Sequence, residues 1–69
     1  MKTYSGKEVV AKLIKAGWTI SRQKGSHVML ERTSYIYTIS VPQHKELGIG
    51  ILKSIIKQAN ITLEEFKKL

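Results

Sequence analysis

The sequence predicts an α+β fold, in which three short strands form an antiparallel sheet and helices cover one face of it. Two segments, one near each end of the chain, have the spacing of a helix capping box. Between them lie three strand-like runs separated by tight turns, and a run with apolar residues at helical spacing. The order α-β-β-β-α-α is typical of an α+β domain, and 69 residues allow one domain at most.

The first helix is predicted over residues 6–16. Ser5 is placed to cap its start, and Glu8 is placed to reach back to the backbone of Ser5. Apolar residues then recur three and four positions apart, as on the buried face of a helix. Gly17 ends the helix, because glycine takes the left-handed conformation at little cost.

The first two strands are predicted to form a hairpin around a turn at residues 24–26, where Gly25 supplies a positive φ. Residues 18–22 alternate apolar and polar side chains, which is typical of a half-buried strand. The second strand covers residues 27–32. There, periodicity leaves open whether Met29 or its two apolar neighbours face the core.

The third strand is predicted over residues 35–41, a run dense in aromatic and β-branched residues. Pro42 ends it, because proline cannot donate a hydrogen bond to a neighbouring strand. The residues of one predicted face are Tyr35, Tyr37, Ile39 and Val41.

The predicted second helix follows a loop at residues 43–50, and Asn60 is placed to end it in the left-handed conformation. Thr62 and Glu65 repeat the capping-box spacing and open a short last helix that reaches residue 69. The apolar face of the second helix comprises Leu52, Ile55, Ile56 and Ala59.

The charge balance favours an anionic partner. Twelve Lys and Arg residues against five Asp and Glu residues give a net charge of +7. Such a chain attracts the phosphates of nucleic acids, and it could also attract an acidic protein or an anionic membrane surface. The predicted order of elements is that of a double-stranded-RNA-binding fold, which suggests RNA by analogy alone.

Several classes of chemistry lack the residues they need. There is no cysteine for a disulfide or thiolate site and no aspartate for a Ser-His-Asp triad. The two histidines, His27 and His44, match no usual zinc spacing, so we predict no metal and no cofactor. No apolar run has the length of a membrane span or signal peptide, and we expect a cytoplasmic protein without membrane association.

The class of chemistry that remains is general acid–base catalysis by a histidine. A neutral imidazole can accept the proton of an RNA 2′-hydroxyl, because its unperturbed pKa of about 6.5 lies close to working pH. From the residues alone, His27 could equally be a structural or solvent-exposed side chain.

Three separated motifs resemble the HicA toxin family and together cover nearly the whole chain. Gly17-Trp18 followed by Arg22-Gln23-Lys24-Gly25-Ser26-His27 is similar to the family's glycine-tryptophan and glycine-serine-histidine motifs. The segment 41–47, VPQHKEL, resembles its valine-proline-histidine-lysine-glutamate stretch, and the segment 50–59 resembles its glycine-initiated second helix.

The resemblance implies an mRNA interferase of a type II toxin–antitoxin pair, with His27 as the catalytic residue and no required metal. It also implies a HicB-type antitoxin that covers the active surface. The chain departs from the family where Ile51 replaces a frequent threonine, so the cap of the second helix must come from backbone or water. Gly48 and Ile49 also stand where basic residues are frequent.

The candidate RNA-binding residues combine cationic side chains with polar residues of the resembling motifs. The sequence leaves two roles open for His44, one facing a phosphate and one in the structure of the loop. The alternatives to a ribonuclease are a non-catalytic RNA-binding module and a domain that docks an acidic protein. The candidates are Arg22, Lys24, Ser26, His44, Lys45, Lys53 and Lys57.

Overall fold

The computed structural model describes residues 3–69, and its architecture confirms the predicted α+β class. The three strands form one antiparallel sheet in the order β1-β2-β3, so the second strand is central. This is the α-β-β-β-α order of double-stranded-RNA-binding domains, followed by one further short helix. The elements are α1 (Gly6–Lys15), β1 (Thr19–Lys24), β2 (His27–Glu31), β3 (Ile39–Pro42), α2 (Ile49–Gln58) and α3 (Leu63–Lys68).

Both predicted capping boxes are confirmed. The Ser5 hydroxyl accepts the Glu8 backbone N–H at 3.1 Å, and the Glu8 carboxylate accepts the Ser5 backbone N–H at 3.0 Å. Thr62 and Glu65 make the same pair of bonds at the start of α3, at 3.1 and 2.8 Å. The hydrogen bonds from the Thr62 backbone and side chain lower the pKa of Glu65 from its ordinary value, because they favour the ionised carboxylate.

The predicted helix ends are confirmed as well. Gly17 has φ +108°, and the backbone N–H of Trp18 donates to the Leu13 carbonyl at 3.0 Å, which closes a Schellman motif after α1. Asn60 plays the same part after α2, with φ +61°. These motifs depend on a few consecutive residues, which is why the sequence displays them.

The core lies between one face of the sheet and the helices. On β2 the structure decides the question that periodicity left open, because Val28 and Leu30 are buried whereas Met29 is only half-buried. The side chains that are fully excluded from solvent are Trp18, Phe66, Leu13, Leu30, Ile39, Leu52, Val9 and Val41. All eight belong to one hydrophobic cluster.

The prediction that the first strand is half-buried was wrong. All six residues of β1 are exposed, and Ile20 keeps 52% of its surface in solvent. A bulge between Ile20 and Arg22 interrupts the alternation, and β1 lies at the edge of the sheet. Trp18, the largest residue of the predicted strand, is fully buried but precedes β1.

The third strand is shorter than predicted, since β3 spans Ile39–Pro42 and residues 35–38 lie outside the sheet. The Tyr35 ring packs 4.9 Å from the ring of Trp18, centroid to centroid. The Tyr37 hydroxyl donates to the Gln58 carbonyl of α2 at 2.6 Å. The two tyrosines therefore pack against other elements and not within a strand, which is the reason that their β-propensity was misleading.

The second helix begins at Ile49, within the predicted loop of residues 43–50. Its N-cap is Gly48, with φ −60° and ψ 151°, and no side chain caps the helix. Ile51, where the cap was expected, lies within the first helical turn. The loop is therefore two residues shorter than predicted.

Candidate functional site

His27 is the first residue of the central strand, directly after the hairpin turn. Gly25 supplies the predicted positive φ of +60° in that turn. In the sheet, His27 lies opposite Lys24 of β1 on one side and opposite Pro42 of β3 on the other. The Gln43 backbone N–H then donates to the Ser26 carbonyl at 2.7 Å, which extends the pairing beyond the strand. The backbone of His27 is thus held from both sides.

The start of α1 supports this end of the sheet. Gly6 is buried, and its backbone N–H donates to the His44 carbonyl at 2.9 Å. A Cβ atom on Gly6 would collide with the Pro42 carbonyl oxygen and would lie 2.8 Å from the Gln43 Cα. Only glycine lets the helix approach so closely, and the helix thereby fixes the strand end that pairs with His27.

The His27 side chain is exposed and lines an open groove of about 490 Å³. Thr38, Ser40 and Pro42 line the groove on the side of β3. The remaining lining residues come from α2 and are Gly50, Ile51, Ser54, Ile55 and Gln58. Within residues 3–69, no hydrogen bond restrains the His27 imidazole, so it can meet a ligand in the groove.

His27 is the only titratable side chain in the lining of this groove, as far as the described residues go. The other polar groups are the hydroxyls of Thr38, Ser40 and Ser54 and the amide of Gln58. No lysine, arginine or carboxylate among the described residues lines it. The site therefore combines one imidazole with neutral hydrogen-bonding groups.

None of the predicted cationic contacts lines this groove. Arg22 and Lys24 are exposed on β1, and Lys53 and Lys57 are exposed on α2. Of these four, Lys24 is the one that the sheet register places directly beside His27. Their contact with RNA stays a prediction.

The remaining predicted residues lie in the turn between β1 and β2 and in the loop after β3. Ser26 is exposed in the hairpin turn, next to His27. His44 and Lys45 are exposed and together line a second depression of about 280 Å³, beside Lys7 at the start of α1. The structure thus brings His44 and Lys45 together, but in a depression separate from the groove of His27.

Sequence reasoning missed the four neutral polar residues of the groove. A signal for them existed, because Thr38 and Ser40 alternate with Ile39 and therefore point away from the core. Likewise Ser54 and Gln58 are four residues apart on α2 and share one side of it. What the sequence could not show is that α2 lies beside β3.

The structure was also searched for metal sites and for membrane-spanning helices. Across residues 3–69, no three His, Cys, Asp or Glu side chains are grouped so that they could hold a metal ion. None of the described helices has the length and apolar character required to cross a membrane.

Comparison with protein families identifies the family of this chain. A family model described as the HicA toxin of bacterial toxin–antitoxin systems matches residues 6–61. The matched segment runs from the first residue of α1 to Ile61, three residues beyond the end of α2, so it contains the whole sheet and the groove. No curated protein sequence matches the chain.

Proposed function

Because this chain belongs to the HicA toxin family of bacterial toxin–antitoxin systems, we propose that it is an endoribonuclease that cleaves mRNA with His27 as its general acid or base. The observation that carries the proposal is the position of His27. It is the one titratable group in the lining of the groove, and its imidazole is exposed and unrestrained by hydrogen bonds within the described chain.

The chemistry needs a proton acceptor at the ribose and positive charge at the phosphate. A neutral imidazole accepts the proton of a 2′-hydroxyl while the hydroxyl oxygen attacks the neighbouring phosphorus. The bond from phosphorus to the 5′-oxygen of the next nucleotide breaks, that oxygen takes a proton from water, and a 2′,3′-cyclic phosphate remains on the other product. Negative charge that develops on the phosphate is stabilised by cations nearby. The cation that the sheet register places opposite His27 is Lys24, which makes it the first candidate for that role. The reaction requires no metal in this proposal.

The remaining candidate contacts would bind the phosphates on either side of the cleaved bond. They lie on three parts of the surface, namely the β1–β2 hairpin, the loop after β3, and α2. The chain's net charge of +7 supports this reading, since each neutralised phosphate releases counterions and strengthens binding at low salt. The candidates are Arg22, Ser26, His44, Lys45, Lys53 and Lys57.

The toxin's partner in this proposal is a HicB-type antitoxin of a type II system, seated over the groove. Membership of a toxin–antitoxin family implies an antitoxin. Since the groove is open and His27 is exposed, a protein covering it would exclude RNA without altering the toxin's fold. A partner with an acidic face would match the basic surface.

The experiment is an RNA cleavage assay in EDTA with the purified wild type and the variants His27→Ala and Ser21→Ala. General acid–base catalysis contributes about 10²- to 10⁴-fold, so we expect His27→Ala to lose at least about 100-fold in rate. RNA binding and the circular dichroism spectrum should be retained, because the side chain is exposed. Ser21 is exposed outside the groove, and its variant should cleave like the wild type.

Two outcomes would overturn the proposal. Full cleavage by His27→Ala would exclude His27 as the acid or base. Absence of cleavage by the wild type, together with salt-sensitive RNA binding, would instead identify a non-catalytic RNA-binding module.

A further inference from the structure

We propose that the groove beside His27 binds an unpaired nucleobase of RNA, so that the enzyme selects single-stranded RNA and prefers certain bases next to the cleaved bond. This inference rests on the proposed ribonuclease function, because it places the base in the groove that would hold the reacting ribose. It concerns the part of the groove formed by Ser54 and Gln58 of α2 and by Thr38 and Ser40.

The first argument is charge. Apart from His27, the groove offers no charged side chain among the described residues. A phosphate placed there would lose water without gaining a compensating cation, which is costly for a charged group. A nucleobase is neutral and does not incur this cost. The phosphates therefore belong on the exposed cations outside the groove, and the base belongs in the groove.

The second argument is hydrogen bonding. Thr38, Ser40 and Ser54 present hydroxyls that can both donate and accept, and the Gln58 amide both donates and accepts. Within residues 3–69, none of these four side chains has a hydrogen-bond partner. The edges of nucleobases carry the same mixture of donors and acceptors, and glutamine can bond two atoms of an adenine edge at once.

The third argument is shape. The groove's volume of about 490 Å³ lies within the range of about 300–1,000 Å³ that is typical of sites for small organic ligands. Ile51, 46% exposed, and Pro42 offer apolar surface to the flat face of a base. The hydrogen bond from the Tyr37 hydroxyl to the Gln58 carbonyl ties the segment before β3 to the end of α2. This bond connects the two walls of the groove.

A base can enter such a groove only when it is unpaired. In a duplex the base edges are engaged in pairing, and RNA-binding proteins read sequence mostly from loops, bulges and single strands. Extraction of a base from a helix requires unstacking and unpairing, which slows reaction on paired RNA. The groove thus predicts a preference for single strands, although the fold is shared with domains that bind double-stranded RNA.

The first arm of the test measures binding with protein that carries His27→Ala, so that RNA is not consumed. Short single-stranded oligonucleotides of each base and a duplex of mixed sequence are titrated by fluorescence anisotropy. We compare Ser54→Leu, which fills the groove, and Gln58→Ala, which removes the amide but keeps the carbonyl that Tyr37 contacts. Ser21→Leu is the matched control, because Ser21 is exposed outside the groove.

We expect Ser54→Leu to weaken single-strand binding about 10-fold and to leave duplex binding unchanged. Gln58→Ala should change the relative affinities for the four bases by about 10-fold, the usual range for loss of a two-point base contact. The control should match its parent in both respects. Ser54 and Gln58 are exposed, so both variants should keep the parent's circular dichroism spectrum.

The second arm maps cleavage positions on an RNA of mixed sequence with His27 present. Gln58→Ala should redistribute the cleavage positions, and Ser54→Leu should lower the rate on single strands. An unchanged cleavage pattern and unchanged single-strand affinity in both variants would overturn the inference. If His27→Ala still cleaves while the groove variants lose single-strand binding, the proposed catalysis fails and the base site stands.

Discussion

The starts of α1 and α2 adjoin the same region of the molecule but are built differently. The first turn of α1 has a complete capping box, and its Gly6 is buried against the end of β3. The first turn of α2 has no side-chain cap, and its residues Ile49, Gly50 and Ile51 are all exposed. Gly48 and Gly50 have open space where a Cβ would lie.

The difference follows from what each helix start contacts. The segment before and at the start of α1 is bonded to the loop after β3, through Gly6 to His44 and through Tyr4 to Leu47. That loop continues the strand that pairs with His27, so these bonds determine where the histidine lies. The start of α2 contributes Gly50 and Ile51 to the open groove. The start of α1 supports the strand that pairs with His27. The start of α2 leaves the groove open to a ligand.

The largest expected effect is that of Gly6→Ala. The added methyl collides with backbone atoms of Pro42 and Gln43, which cannot move aside as a flexible side chain could. Overpacking costs about 1–3 kcal/mol and occasionally more, and we expect about 3 kcal/mol here. Urea denaturation should show a lower midpoint with an unchanged slope. Such a loss would remove most of the stability of a domain this short, which is commonly about 3–5 kcal/mol.

The same substitution at Gly50 is the matched control for Gly6→Ala. A Cβ there meets nothing within 4 Å, and alanine favours helix, so Gly50→Ala should not lower the midpoint. Equal destabilisation by both variants would contradict the contrast between the two helix starts.

A smaller loss is expected from Ser5→Ala, which removes the side-chain cap of α1. The Glu8 backbone N–H loses its partner, and loss of an N-cap typically costs about 1 kcal/mol. Thermal unfolding followed by circular dichroism would measure it. The variant Ser5→Asn keeps a side-chain acceptor and should recover most of the loss. If Ser5→Asn is no more stable than Ser5→Ala, the cap is not the source of the effect.

The sequence revealed the helix ends better than the strands, and for a physical reason. A capping box such as Ser5 and Glu8 forms within four residues, so its spacing is visible in the chain. The limits of β1 and β3 depend on distant contacts, namely the bulge opposite β2 and the packing of Tyr35 on Trp18. Hydrophobic alternation and β-propensity carry no information about such contacts.

The same division applies to the candidate site. His27 could be singled out as a catalytic candidate only through the resembling motif, since an isolated histidine has no local signature of function. The neutral walls of the groove could not be assembled from the sequence, because Ser40 and Ser54 are brought together only when α2 packs beside β3. The predicted cations, such as Lys53, were identified by charge, and the structure shows them exposed and outside the lining of the groove.

The smallest effect is expected where α2 lacks a cap. Gly48 has extended backbone angles that any residue can adopt, and a Cβ there meets nothing within 4 Å. In Gly48→Ser the hydroxyl can accept a backbone N–H of the first helical turn, which should raise the free energy of unfolding by a few tenths of a kcal/mol. Gly48→Ala isolates that bond, because it adds the Cβ without the oxygen. We expect the midpoints of urea denaturation to fall in the order serine, glycine, alanine. Equal midpoints for serine and alanine, both above glycine, would show that the gain comes from restriction of the unfolded chain and that the start of α2 needs no cap.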